Sequence, residues 1–135
     1  MPLMTWTDRY SVNIKQVDSQ HMKLVELLNG FHEAMKLGKS KEVMGNLLHG
    51  LLDYTVYHFS TEEDLFKTHG YPGLLPHKKE HDALTTQALD LSERYSRGEP
   101  VLGAETMNFL KNWLNDHMLG TDQKYVSFLN GKGVL

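Results

Sequence analysis

The chain has no cysteine in its 135 residues. This removes disulfides, thiolate nucleophiles, iron–sulfur clusters and thiolate zinc sites together. A basic block is also missing: 14 basic side chains stand against 17 acidic ones, for a net charge of −3. Nothing in that balance suits nucleic acid or an anionic membrane surface as a partner. No apolar run approaches the ~20 residues that a membrane-spanning helix needs, and Met1 to Tyr10 lack the basic-then-apolar order of a secretory signal. A cytoplasmic protein with no integral membrane segment is the expectation. Proline is scarce, and Pro72, Pro76 and Pro100 fall where helices are expected to begin or end. What the chain does have is eight histidines, in a length that suits one domain (1–135) around a single core.

The apolar periodicity is helical throughout. A first stripe runs Val17, His21, Leu24, Leu28, Phe31, Met35, with Asp18 a candidate N-cap and Gly38 a stop. Ser40 can cap a second helix whose stripe reads Met44, Leu48, Leu51, Thr55, His58, Glu62, Leu65. His69-Gly70-Tyr71-Pro72-Gly73 then breaks the chain, and Pro76 opens a third helix. Its stripe is His77, His81, Leu84, Ala88, Leu91, Tyr95, and the fourth carries Met107, Leu110, Leu114 and His117. The pattern predicts helices at about 18–37, 41–66, 76–97 and 104–119, a non-periodic arm at 1–17 anchored by Trp6, Tyr10 and Ile14, and a tail at 120–135. Short connections favour antiparallel neighbours, so the expected fold is all-α, an up-down-up-down four-helix bundle with the arm packed over it.

That topology converges seven residues. His21 opens the first helix, His58 and Glu62 close the second, His77 and His81 open the third, and His117 and Asp122 close the fourth. In an antiparallel bundle these four helix ends lie together. Residues at i and i+4 share a helix face, so His58/Glu62 and His77/His81 can each offer two ligands. The spacing of five between His117 and Asp122 suits a helix that loosens near Gly120 and lets the carboxylate reach back. A lone core histidine is more often hydrogen-bonded than metal-ligating. Seven polar side chains facing one region of a core are strongly destabilising unless a metal satisfies them. Seven exceed the four ligands of a structural zinc site, and two bridging carboxylates with five imidazoles suit a dinuclear first-row centre, although spacing alone does not choose the metal. The Glu-x-x-His pairs of carboxylate-rich di-iron bundles are missing from the converging end. His32, His49 and His69 fall outside the cluster. Glu63 and Asp64 are expected on a solvated acidic face, and Asp82 and Asp116 point away by periodicity.

The chain resembles the hemerythrin family, in particular single-domain bacteriohemerythrins. The residues that carry the likeness are Asp18-Ser-Gln-His21, His58-Phe-Ser-Thr-Glu62-Glu, Gly70-Tyr-Pro, His77-Lys-Lys-Glu-His81, and Trp113-Leu-Asn-Asp-His117 followed by Asp122 and Tyr125. Two departures are Met118, where isoleucine is usual, and Leu65, where methionine is common. The resemblance implies a non-haem di-iron centre bridged by Glu62, Asp122 and an oxo or hydroxo group. His77, His81 and His117 would complete one iron, and His21 and His58 would hold the other with one position open to dioxygen. By family position, Leu24, Phe59, Trp113, Leu114 and Met118 would line the ligand pocket.

Reversible dioxygen binding for storage, transport or delivery is therefore the expected function, with no catalytic residue and an oxygen-consuming enzyme as a conceivable recipient. None of the five pocket residues is acidic or basic, which suits a carrier better than an oxygen-activating enzyme. The alternatives are a di-iron enzyme acting on peroxide, nitric oxide or nitrite, and an oxygen or redox sensor. Sensors of the family usually carry an attached signalling domain, and none follows Leu135. A monomer is expected.

Overall fold

The computed structural model describes residues 2–135 and contains four long helices in up-down-up-down order, with no strand among the described residues. Helix α1 spans Lys15–Lys36, α2 Lys41–His69, α3 Leu74–Ser96 and α4 Ala104–Asp116. The apolar stripes explain the assembly, because Leu24, Leu28, Phe31, Met44, Leu48, Leu51 and Met107 turn inward into one core cluster.

The ends differ from expectation in instructive ways. α1 begins at Lys15, ahead of Asp18, with Ile14 at the cap position and no side-chain cap. Asp18 instead accepts hydrogen bonds from Ser11 Oγ (2.6 Å) and from the Val12 amide (2.8 Å), so it ties the arm to α1. Ser40 does cap α2, accepting from the Val43 amide at 3.2 Å. α2 runs on to His69 and stops at Gly70, whose left-handed φ of 69° suits a residue without Cβ. A Cβ at Gly73 would lie 2.7 Å from the Tyr71 ring. A larger residue there would have to displace the Tyr71 ring. α3 starts at Leu74, and Pro76 sits in its first turn, where the missing N–H has no helical partner to lose.

Residues 120–135 are more than a tail. After α4 the chain widens into a π-helical turn over His117–Thr121, tightens to a 3-10 turn at Asp122–Tyr125 and ends in a short helix α5, Val126–Gly131. This segment meets the arm: Asn130 Nδ2 donates to the Asn13 carbonyl (3.2 Å), and Asn13 Nδ2 donates to Asn130 Oδ1 (3.0 Å). Val12, Ile14 and Val17 pack with Phe66, Tyr125 and Leu129 into a second apolar cluster. Tyr10, an expected anchor, donates from its hydroxyl to Asn115 Oδ1 at 2.6 Å, and its ring lies 5.5 Å from that of Trp6. A polar layer is left between the two apolar clusters, since His21 sits between Val17 and Leu24 on α1, and His58 and Glu62 between Leu51 and Phe66 on α2.

Candidate metal centre

All seven residues singled out from the sequence occupy that layer, each 0–4 % exposed. Within it, Glu62, His77, His81, His117 and Asp122 place ligand atoms within 4.8 Å of one another, and His21, His58 and Glu62 do the same. The two groups share Glu62. Asp122 also spans them: Oδ2 lies 3.1 Å from His21 Nε2, while Oδ1 lies 3.1 Å from His77 Nε2 and 3.0 Å from His117 Nε2. Glu62 Oε1 is 3.2 Å from His58 Nε2 and 3.3 Å from His81 Nε2.

The π-helical turn explains how His117 and Asp122 cooperate. The Asp122 amide returns to the His117 carbonyl, five residues back, so one extra residue in the turn brings i+5 onto the face that i+4 would hold in a regular helix. Gly120 lies inside that turn, where the sequence placed the loosening.

The outer nitrogens of three rings are held, and this fixes what the inner ones present. His81 Nδ1 lies 2.9 Å from Glu63 Oε2, and His117 Nδ1 lies 3.2 Å from Glu80 Oε1. A carboxylate only accepts, so both Nδ1 atoms donate and both Nε2 atoms carry bare lone pairs. Those two Nε2 atoms nevertheless face each other at 3.1 Å. His58 Nδ1 is 2.7 Å from Gln20 Oε1. The amide orientation is set by Thr61, whose hydroxyl donates to the Tyr57 carbonyl and accepts from Gln20 Nε2, leaving Oε1 for the imidazole. Phe59 stacks on His81 (centroids 3.8 Å, 3° between planes) and Trp113 on His117 (4.4 Å, 14°), which clamps both rings. Tyr125 donates its hydroxyl to Glu62 Oε2.

Meanwhile His21 Nε2, His58 Nε2, His77 Nε2, Glu62 Oε1 and both Asp122 oxygens are buried with no aligned hydrogen bond. Lone pairs facing lone pairs, beside buried carboxylate oxygens, form a cradle suited to a cation. The donor set of five imidazoles and two carboxylates suits a metal site.

Protonation of the metal-free cradle follows the same logic. Burial pushes His21 down, but the hydrogen bond and charge of Asp122 outweigh it, so the net shift is upward; His117 is raised in the same way. Burial dominates at His58, which is lowered. Burial would raise both carboxylates, and the surrounding histidines instead hold Glu62 and Asp122 below the usual range. Tyr125, raised by burial and then by the two carboxylate charges, stays a neutral donor. A proton is thus more favoured on His21 and His117 than on a free imidazole, and a metal ion has to compete with it. Metal affinity is therefore expected to fall as pH falls, with protons released on loading in the acidic range; an affinity independent of pH, read by titrating metal-free protein with a divalent ion, would contradict this.

Sequence reasoning missed four supporting residues. Gln20, Glu63 and Glu80 lie beside ligands in the chain but off the apolar stripes, and Glu63, assigned to the solvated face, is turned inward with its side chain 13 % exposed. Tyr125 stood in the family motif without a role. Beyond the layer, an apolar cavity of about 60 Å³ is lined by Leu24, Phe59, Trp113 and Leu114 among others. Met118 is not among the residues lining this cavity and is fully buried in the core cluster that also holds Leu24 and Leu114.

Comparison with known proteins agrees with this geometry. The model of the hemerythrin HHE cation-binding domain matches residues 12–129. The chain is 34% identical over 126 residues to a bacteriohemerythrin of Methylococcus capsulatus, covering 93% of this chain and 95% of that protein. It is 33% identical over 130 residues to a hemerythrin-like protein of Naegleria gruberi, covering 96% and 92% respectively. A solved wild-type hemerythrin superposes with a TM-score of 0.90 at 33% identity, covering 94% of this chain and 98% of that one. With the bundle, the buried histidine–carboxylate layer and these likenesses in agreement, the chain belongs to the hemerythrin family.

Proposed function

We propose that the protein binds dioxygen reversibly at a non-haem di-iron centre, for storage or delivery rather than turnover. His77, His81 and His117 would hold one iron and His21 and His58 the other, with Glu62 and Asp122 bridging them. When bound, the iron pair supplies two electrons to dioxygen and takes them back on release. The chain's own residues keep that exchange reversible by withholding protons and water.

The observation that carries this reading is the apolar cavity sharing a wall with the polar layer. Phe59 and Trp113 line the cavity and also stack on His81 and His117. No titratable side chain lines it. Its two hydroxyl groups are engaged elsewhere, Thr55 Oγ1 donating to the Leu51 carbonyl (2.7 Å) and Thr85 Oγ1 to the His81 carbonyl (2.8 Å). An apolar void of this kind admits a small apolar gas and disfavours water. An enzyme that cleaves the O–O bond would need an acid in reach, and the cavity offers none. Tyr125, a buried phenol in the other apolar cluster, directs its hydroxyl proton to Glu62 and not into the cavity.

The test is the visible spectrum of iron-loaded protein in air, after degassing and after re-oxygenation. A charge-transfer band that vanishes and returns is expected. A band that bleaches once, or steady turnover of hydrogen peroxide or nitrite, would favour the enzymatic alternative.

A further inference from the structure

Where the ligand histidines have an outer hydrogen-bond partner, its charge divides along the same line that divides the two ligand groups; His77 has none among the described residues. In the three-histidine group, His81 donates to Glu63 (2.9 Å) and His117 to Glu80 (3.2 Å), and Glu80 is itself fixed by Thr121 Oγ1 at 2.9 Å. The two-histidine group has no anionic partner. His58 donates to the neutral amide of Gln20 (2.7 Å), and His21 Nδ1 is buried without a partner. A carboxylate on the outer N–H draws the proton away and makes the inner nitrogen a stronger donor, whereas an amide does so far less.

We propose that Glu63 and Glu80 are positioning residues that make the three-histidine position the tight, first-filled one, and that the neutral Gln20 and the unpartnered His21 keep the two-histidine position weaker and exchangeable. This rests on the reading that the layer holds two metal ions. It adds that the inequality is set by charge in the outer partners, over and above the count of three ligands against two. The two-histidine position would then hold its ion with the weaker donor set.

The experiment titrates metal-free protein with Co(II) by calorimetry in the presence of a competing chelator. Wild type is expected to take up two ions in two separated steps. His58→Ala should keep the first step and lose the second, which assigns the order. Glu80 is half exposed, so Glu80→Gln leaves the core intact; it is expected to weaken the first step by about 10–100-fold and leave the second unchanged. Glu63→Gln should do the same, as an independent variant. Gln20→Glu should act in the opposite sense, tightening the second step and narrowing the gap, with circular dichroism confirming that it folds.

Two equal steps in wild type, a first step indifferent to both Glu→Gln changes, or equal weakening of both steps would overturn the inference while leaving the dinuclear reading in place. If Gln20→Glu folds and the second step does not tighten, the charge argument fails. No Co(II) uptake at all would overturn the dinuclear reading and this inference with it.

Discussion

Replacing Asp122 with alanine is expected to abolish two-metal uptake while the metal-free protein keeps its fold. Asp122 is the carboxylate that spans the layer, with one oxygen 3.1 Å from His21 Nε2 and the other 3.0–3.1 Å from His117 and His77. Its removal takes a ligand from both groups at once. The metal-free protein loses less than the burial of a charge suggests. Asp122 is the largest influence raising His21 and His117, so its loss makes a proton on either imidazole less favourable, and Glu62 is freed of a neighbouring negative charge that pushes it upward. This differs from the usual broken buried pair, in which a stranded charge remains. The holo protein loses the stabilisation that bound metal confers, about 2.7 kcal/mol for a site at a hundredfold excess of ligand over its Kd and about 4.1 kcal/mol at a thousandfold excess. Metal analysis should show fewer than two ions per chain, and melting curves with and without metal should nearly coincide. A variant that still binds two ions and melts like wild type would remove Asp122 from the bridge.

The parts of this architecture that the sequence announces are those written in periodic side chains. The stripes from Val17 to Met35, from Met44 to Leu65 and from His77 to Tyr95 specify three helices and their inward faces, and the antiparallel order then collects His21, His58, Glu62, His77 and His81 without further information. The spacing of His117 and Asp122 was legible as an anomaly, and the π-helical turn is its physical form. What stayed hidden is non-periodic or depends on another element. Residues 120–135 close the site from below through Tyr125 and Leu129, yet their mixed helical turns have no single repeat to detect. Asp18 has the chemistry of a cap and uses it on the arm instead. Glu63 follows a ligand and sits off the core face of α2, so only His81 arriving from α3 distinguishes it from Asp64, its exposed neighbour.

Leu114→Asp is expected to shorten the life of the oxygen-binding form on the order of a hundredfold, the scale of a well-placed general acid. Leu114 is half-buried on α4 and lines the cavity beside Trp113 and Phe59. An aspartate there would be largely desolvated, which raises its pKa and keeps it protonated near neutrality. It would place a proton donor and an anchor for water in a space whose only hydroxyl groups are already bonded to backbone carbonyls. The cost to folding is on the order of 1–3 kcal/mol for a partly buried polar group, so the protein should remain folded and the comparison fair. Leu114→Asn separates the two causes, since it admits water at nearly the same size without supplying an acid. Following the visible band of iron-loaded protein in air gives the rates directly. A large acceleration for aspartate and a small one for asparagine would assign the stability of the bound state to the exclusion of protons. Equal acceleration would assign it to the exclusion of water. An unchanged rate for Leu114→Asp would mean that the cavity is not the boundary of the reactive pocket, and the argument for a carrier would lose its main support.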